Sequence, residues 1–207
     1  TNGKTTTTSL ATHLLRAGGL SAESVGNIGT TPTEAIATRA DDTWFVAELS
    51  SFQLATTRLF HPRAAVLLNV TPDHLEWHHT MEAYAAAKER VFANLGAGEL
   101  AAGHARLPTY RALYLDARGV RVCRLSVEAE PAGESAAFLR GGELVVRLDG
   151  AEHALLDASE LRIFGRHNAE NALAAAALAL ELGVADDDVR SGLASFSPIE
   201  HRIEPVG

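Results

Sequence analysis

Apolar positions fall in two textures along the 207-residue chain. In some windows they recur every three or four residues, and in others they run uninterrupted. The stretch from Thr5 to about Ala17 has helical spacing and stops at Gly18-Gly19. Thr43–Glu48 (Thr-Trp-Phe-Val-Ala-Glu) and Ala64–Val70 (Ala-Ala-Val-Leu-Leu-Asn-Val) are short continuous runs. That pattern suits parallel strands covered on both faces. A polar turn, Thr71-Pro72-Asp73-His74, follows the second run, and Thr80–Leu95 then predicts a helix with Thr80 as N-cap. From Gly96 the texture changes. Leu113–Leu115, Val120–Leu125, Ala137–Leu139 and Glu143–Leu148 predict short strands of a small antiparallel sheet, with Arg140-Gly141-Gly142 as a hairpin turn. No chemistry is legible in that segment. Helical spacing returns at His167–Leu182, ended by Gly183, and at Asp186–Phe196. The acidic start of the latter, Asp186–Asp188, suits a helix N-terminus better than a metal site. Strand–helix alternation predicts an α/β fold of P-loop type: a mostly parallel sheet flanked by helices, with a small antiparallel β insert.

Composition narrows the function classes. The net charge of −8, with no basic block, argues against a nucleic-acid partner. No apolar run is long enough for a membrane span, so no membrane partner is expected. The single Cys123 excludes an intrachain disulfide and a cysteine metal cluster, and fits a reduced, cytoplasmic setting. Asn69-Val70-Thr71 matches a glycosylation acceptor only by chance if no secretory signal accompanies it.

The chain opens on Thr1-Asn2-Gly3-Lys4-Thr5-Thr6-Thr7, directly ahead of the first helix. Gly-Lys-Thr there is the second half of a Walker A loop. Backbone N–H groups of such a loop turn onto phosphate oxygens, the lysine reaches the terminal phosphates, and the threonine hydroxyl reaches Mg²⁺. The leading glycine and the strand that feeds the loop are expected before Thr1. Glu48 ends a predicted strand, where ligands of open α/β sheets bind, and could hold that Mg²⁺. A solvated strand-end glutamate is the commoner alternative. His74 could bind metal or move protons, or be a surface histidine. His78 and His79 read as solvent-facing. Lys88, in Tyr84-Ala85-Ala86-Ala87-Lys88, reads from its residues alone as part of a solvated helix face. Asn168 and Asn171 share one face at a helix start, and either cap the helix or recognise a base or sugar.

In order, Thr1–Thr6, Gly26-Asn27-Ile28-Gly29, Glu48-Leu49-Ser50-Ser51-Phe52-Gln53-Leu54, Asn69–His74, Ala86-Ala87-Lys88, Gly165-Arg166-His167-Asn168 with Asn171, and His201-Arg202 resemble the ATP-dependent Mur ligases. The Gly26 and Glu48 segments and the closing His201-Arg202-Ile203-Glu204 resemble the D-glutamate-adding branch. The resemblance implies that ATP phosphorylates the carboxylate of UDP-N-acetylmuramoyl-L-alanine. D-glutamate then displaces phosphate to form an amide. It implies ATP contacts from Asn2, Gly3, Lys4, Thr5, Thr6, Asn168, Asn171 and Arg202, and muramoyl contacts from Asn27, Ser50 and Gln53. Two Mg²⁺ ions are implied, one on Thr5 and Glu48 and one on His74 and a carbamylated Lys88. Lys4, His74 and Lys88 would be the catalytic set. The full-length form is expected to be a monomer. Another Mur ligase or a folylpolyglutamate synthase is the alternative within enzymes, and a non-catalytic nucleotide-binding module the alternative outside them.

Two departures stand out. The spacing from His74 to Lys88 is about one residue shorter than in comparable relatives, and Gly96–Pro108 lacks the usual strand followed by Asn-x-Asp-Asp. The family has three domains, so residues 1–207 read as a central ATP-binding domain, truncated at both ends. Alone, it is expected to bind Mg-ATP weakly and to ligate nothing.

Overall fold

The computed structural model describes residues 2–104, 115 and 117–197. Its elements are α1 (Lys4–Ala17), β1 (Ala22–Gly26), α2 (Pro32–Thr38), β2 (Trp44–Glu48), α3 (Ser51–Thr56), β3 (Ala64–Leu67), α4 (Leu75–His78), α5 (Met81–Glu89), β4 (Leu100–His104), β5 (Arg121–Ser126), β6 (Ala136–Arg140), β7 (Glu143–Leu148), β8 (Ala151–Asp157), α6 (Arg166–Glu181) and α7 (Asp186–Ser195). A six-stranded sheet runs β3-β4-β5-β6-β7-β8, and β1 pairs with β2 in a separate two-stranded sheet.

The mostly parallel sheet with an antiparallel part is present, with its boundary shifted. Strands β3 to β6 are mutually parallel, and only β6, β7 and β8 form an antiparallel meander. Arg121–Ser126 therefore belongs to the parallel part, because the stretch after His104 is long enough for a parallel crossover. The antiparallel strands also extend the main sheet instead of forming one of their own. Leu100–His104 supplies a strand where none was expected. The expected Leu113–Leu115 strand lies mostly outside the described residues. The hairpin turn is as read: Gly141 and Gly142 have φ of 60° and 97°, the positive pair that a two-residue turn needs.

Helix α6 is rich in alanine because it is enclosed. Ala172 to Ala177, with Leu173, are all 0 % exposed. Small side chains let it lie between the sheet and α1, whose Leu10, Ala11, Leu14 and Leu15 join the same core. Cys123, on β5, is fully buried in this core, and burial pushes its thiol up to about 12. The thiolate is the reactive form. Ellman's reagent is therefore expected to leave Cys123 untouched in the native protein and to titrate it on unfolding; rapid native labelling would contradict this packing.

Among the described residues, strands β2 and β3 each have a partner on one side only. Between them lies a cavity of about 400 Å³, lined by residues of both strands together with Thr7, Thr8, Leu54 and Leu178. The Thr7 hydroxyl is buried with no hydrogen-bond partner among the described residues.

Candidate functional site

The site gathers where β2 and β3 end, at the carboxyl edge of the parallel strands. Asn2 and Gly3 lead into α1 above them. The Asn2 N–H donates to Asn69 Oδ1 at 3.0 Å, and Asn69 Nδ2 donates back to the Asn2 carbonyl at 3.0 Å. This double bond ties the loop to the chain leaving β3. Gly3 is the N-cap of α1 at φ 87°, and α1 has neither a side-chain cap nor an acid in its first turn. No side chain among the described residues caps the first N–H groups of that helix.

Asn171 closes over the loop. Its side chain is 4 % exposed, and a Cβ at position 3 would lie 2.2 Å from its Oδ1. Asn171 Nδ2 donates to Asn168 Oδ1 at 3.1 Å, and Asn168 Nδ2 donates to the Phe164 carbonyl at 2.8 Å. The capping alternative for these two asparagines is not met, since the N-cap of α6 is Gly165, which makes no side-chain bond. Arg202 lies outside the described residues.

Glu48 is 4 % exposed. Thr5 Oγ1 donates to its Oε2 at 2.9 Å and Asn27 Nδ2 to its Oε1 at 3.0 Å, while the Asn27 N–H donates to the Glu48 carbonyl at 2.8 Å. A buried carboxylate met only by neutral donors is costly unless a cation joins it. Among the described residues Glu48 has no ion-pair partner, and no group of three or more His, Cys, Asp or Glu gathers to hold a metal. The set Thr5–Glu48, a hydroxyl beside a carboxylate, has the oxygen chemistry that Mg²⁺ takes.

His74 begins α4 at φ 52°, ψ 31°. Its Nε2 lies 3.5 Å from Asp73 Oδ2, and its ring centre 4.9 Å from that of Phe52. Ser50 and Gln53 form a capping box on α3. Gln53 N–H donates to Ser50 Oγ at 3.2 Å, while Gln53 Oε1 accepts from the Ser50 N–H and hydroxyl at 2.8 and 2.9 Å. These two candidates therefore have local structural partners as well, and Asn27 has Glu48.

Lys88 is not on a solvated face. It is 5 % exposed, with Nζ 4.7 Å from the centre of the Tyr84 ring. Burial, aided by the charge of Lys4 and opposed by Asp73, pushes its pKa from the ordinary 10.5 down to about 8. Lys4, Glu48 and Lys88 line the same cavity. Because the folded-state pKa is depressed, carrying the Lys88 charge costs stability below about pH 8, and that cost is relieved as pH rises towards 10.5. Urea midpoints of the parent and of Lys88→Met should therefore converge over this interval. Parallel curves would contradict the burial of the ammonium.

His78 was expected to face solvent and does not. It is 6 % exposed, with Nε2 2.9 Å from the buried Ser51 Oγ, and burial pushes its pKa down. Its partner lies 27 residues away, so nothing local reports it. His79 is exposed as expected.

The Mur ligase middle domain matches residues 1–179. A UDP-N-acetylmuramoylalanine–D-glutamate ligase of Symbiobacterium thermophilum is 41% identical over 206 residues, covering 99% of this chain and 44% of that protein. The Koribacter versatilis protein of that name is 37% identical over 203 residues, covering 98% and 44%. The chain thus spans less than half the length of these relatives. Among solved structures, a murein peptide ligase of Psychrobacter arcticus superposes with a TM-score of 0.69 at 23% identity, covering 100% of this chain and 48% of that one. MurF of Thermotoga maritima in complex with ADP gives 0.62 at 19% identity, covering 96% and 47%. These structures share the fold. The chain belongs to the Mur ligase family, through its middle domain.

Proposed function

We propose that this chain is the central, nucleotide-binding domain of a cytoplasmic ligase that uses ATP to join D-glutamate to UDP-N-acetylmuramoyl-L-alanine. The observation that carries the reading is the buried Glu48, bonded to Thr5 of the phosphate loop, beside a buried Lys88 in one cavity. The names of the relatives, which are D-glutamate ligases, support these substrates. The ADP complex of the Thermotoga maritima MurF supports the use of a nucleotide.

In this reading the first N–H groups of α1 and the Lys4 ammonium hold the nucleotide phosphates, with Asn168 and Asn171 on the nucleoside side. Thr5 and Glu48 would hold one Mg²⁺, and His74 and Lys88 the other. The ions supply neutralisation of the charge gathered between phosphate and carboxylate. A carboxylate oxygen attacks the γ-phosphorus, the bridging bond to ADP breaks, and an acyl phosphate forms. The D-glutamate nitrogen then adds to the acyl carbon, loses a proton, and expels phosphate. Asn27, Ser50 and Gln53 orient the muramoyl side. A Lys88 pKa near 8 keeps part of the amine neutral near neutral pH. Neutral Nζ can attack CO₂, lose a proton and become a carbamate anion, which suits a cation ligand where an ammonium does not.

The test offers the complete ligase UDP-N-acetylmuramoyl-L-alanine with D-glutamate, L-lysine or diaminopimelate. Product is expected with D-glutamate alone, and product with either of the others instead would overturn the substrate assignment.

A further inference from the structure

Helix α4 is a single turn held between two non-glycine residues of positive φ, His74 at 52° and His79 at 67°. Such residues persist only where their surroundings fix them. One turn cannot do this through its own hydrogen bonds. His78 is the one residue of α4 that is buried. Its Nε2 lies 2.9 Å from the hydroxyl of Ser51, the first residue of α3, itself 2 % exposed. Its ring stacks at 18° to Phe52 of α3, with centroids 5.7 Å apart. It also meets Tyr84 of α5 at 5.1 Å, and Lys88 Nζ lies over that same Tyr84 ring.

One imidazole therefore touches the three short helices that carry, or are capped by, Ser50 and Gln53, His74, and Lys88. We infer that His78 is a positioning residue of the activating centre, setting His74 against Ser50 and Gln53 on one side and Lys88 on the other. The inference rests on the functional reading above. Burial pushes its pKa below the ordinary histidine value.

The test uses the complete ligase with His78→Leu, which keeps bulk without the bond; His78→Gln, whose amide reaches Ser51 near the Nε2 position; and Ser51→Ala. His78→Leu is expected to lower kcat about tenfold or more and to raise KM for the muramoyl substrate, with KM for Mg-ATP within about twofold, since displacement of an orienting group acts on the reacting geometry. His78→Gln should recover most of the loss, and Ser51→Ala should fall between. Hydrogen exchange gives an activity-independent readout: peptides spanning 74–80 should lose protection in His78→Leu and Ser51→Ala and keep it in His78→Gln. Kinetic constants unchanged in His78→Leu, an equal rise in KM for Mg-ATP, or unchanged exchange would each overturn the inference. If His78→Leu unfolds globally, Ser51→Ala carries the same test. Failure of the unsubstituted ligase to use D-glutamate would refute the functional reading instead, and the exchange data would still decide on His78.

Discussion

Lys88→Met in the complete ligase lowers amide formation at least about a hundredfold, as loss of several kcal/mol of charge stabilisation requires, while thermal stability holds or rises. The two halves of this result have separate causes. Lys88 is 5 % exposed, and burial drives its pKa down to about 8. An ammonium there is a cost to the fold, and methionine fills similar space without it. The proposed role needs the nitrogen, whether as the amine that captures CO₂ or as the carbamate that follows. Activity measured beside a thermal melt checks both halves. Lost activity with a collapsed melt would make Lys88 a structural residue, and retained activity would remove it from the centre.

Gly3→Ala weakens Mg-ADP binding to the complete ligase about a hundredfold or more, equivalent to about 2.8 kcal/mol. Two effects act together. At φ 87° any side chain strains the backbone, and a Cβ would come within 2.2 Å of Asn171 Oδ1. Either the loop turns its N–H groups off the phosphates or α6 backs away with Asn168 and Asn171. Adding Asn171→Ala relieves the clash but not the strain, so the double variant should recover only part of the affinity. Calorimetry checks this, and affinity unchanged in Gly3→Ala would show that the loop does not bind as described.

The family was legible because its motifs are contiguous. Lys4, Thr5 and Glu48 lie at a helix start and a strand end, and both elements carry clean hydrophobic patterns. The long helices α1, α6 and α7 were readable for the same reason. Strands were missed where their residues do not look like strands. Leu100–His104 reads Leu-Ala-Ala-Gly-His, and Ala22–Gly26 reads Ala-Glu-Ser-Val-Gly. Both are poor in β-branched and aromatic residues, and pairing with neighbours settles them instead. Burial of single polar groups was illegible too. His78 is fixed by Ser51, and Asn2 by Asn69 at a separation of 67 residues. Lys88 lies on an alanine-rich helix whose local pattern suggests solvent, and only the packing around Tyr84 hides it.

The central claim is that this domain activates a carboxylate by phosphorylating it. Its most direct test is oxygen transfer in the complete ligase. UDP-N-acetylmuramoyl-L-alanine labelled with ¹⁸O in its carboxylate is turned over with ATP and D-glutamate, and the released phosphate is weighed by mass spectrometry. An acyl phosphate hands one carboxylate oxygen to phosphate, so one ¹⁸O per phosphate is expected from fully labelled substrate. Amide formed with unlabelled phosphate would contradict the account.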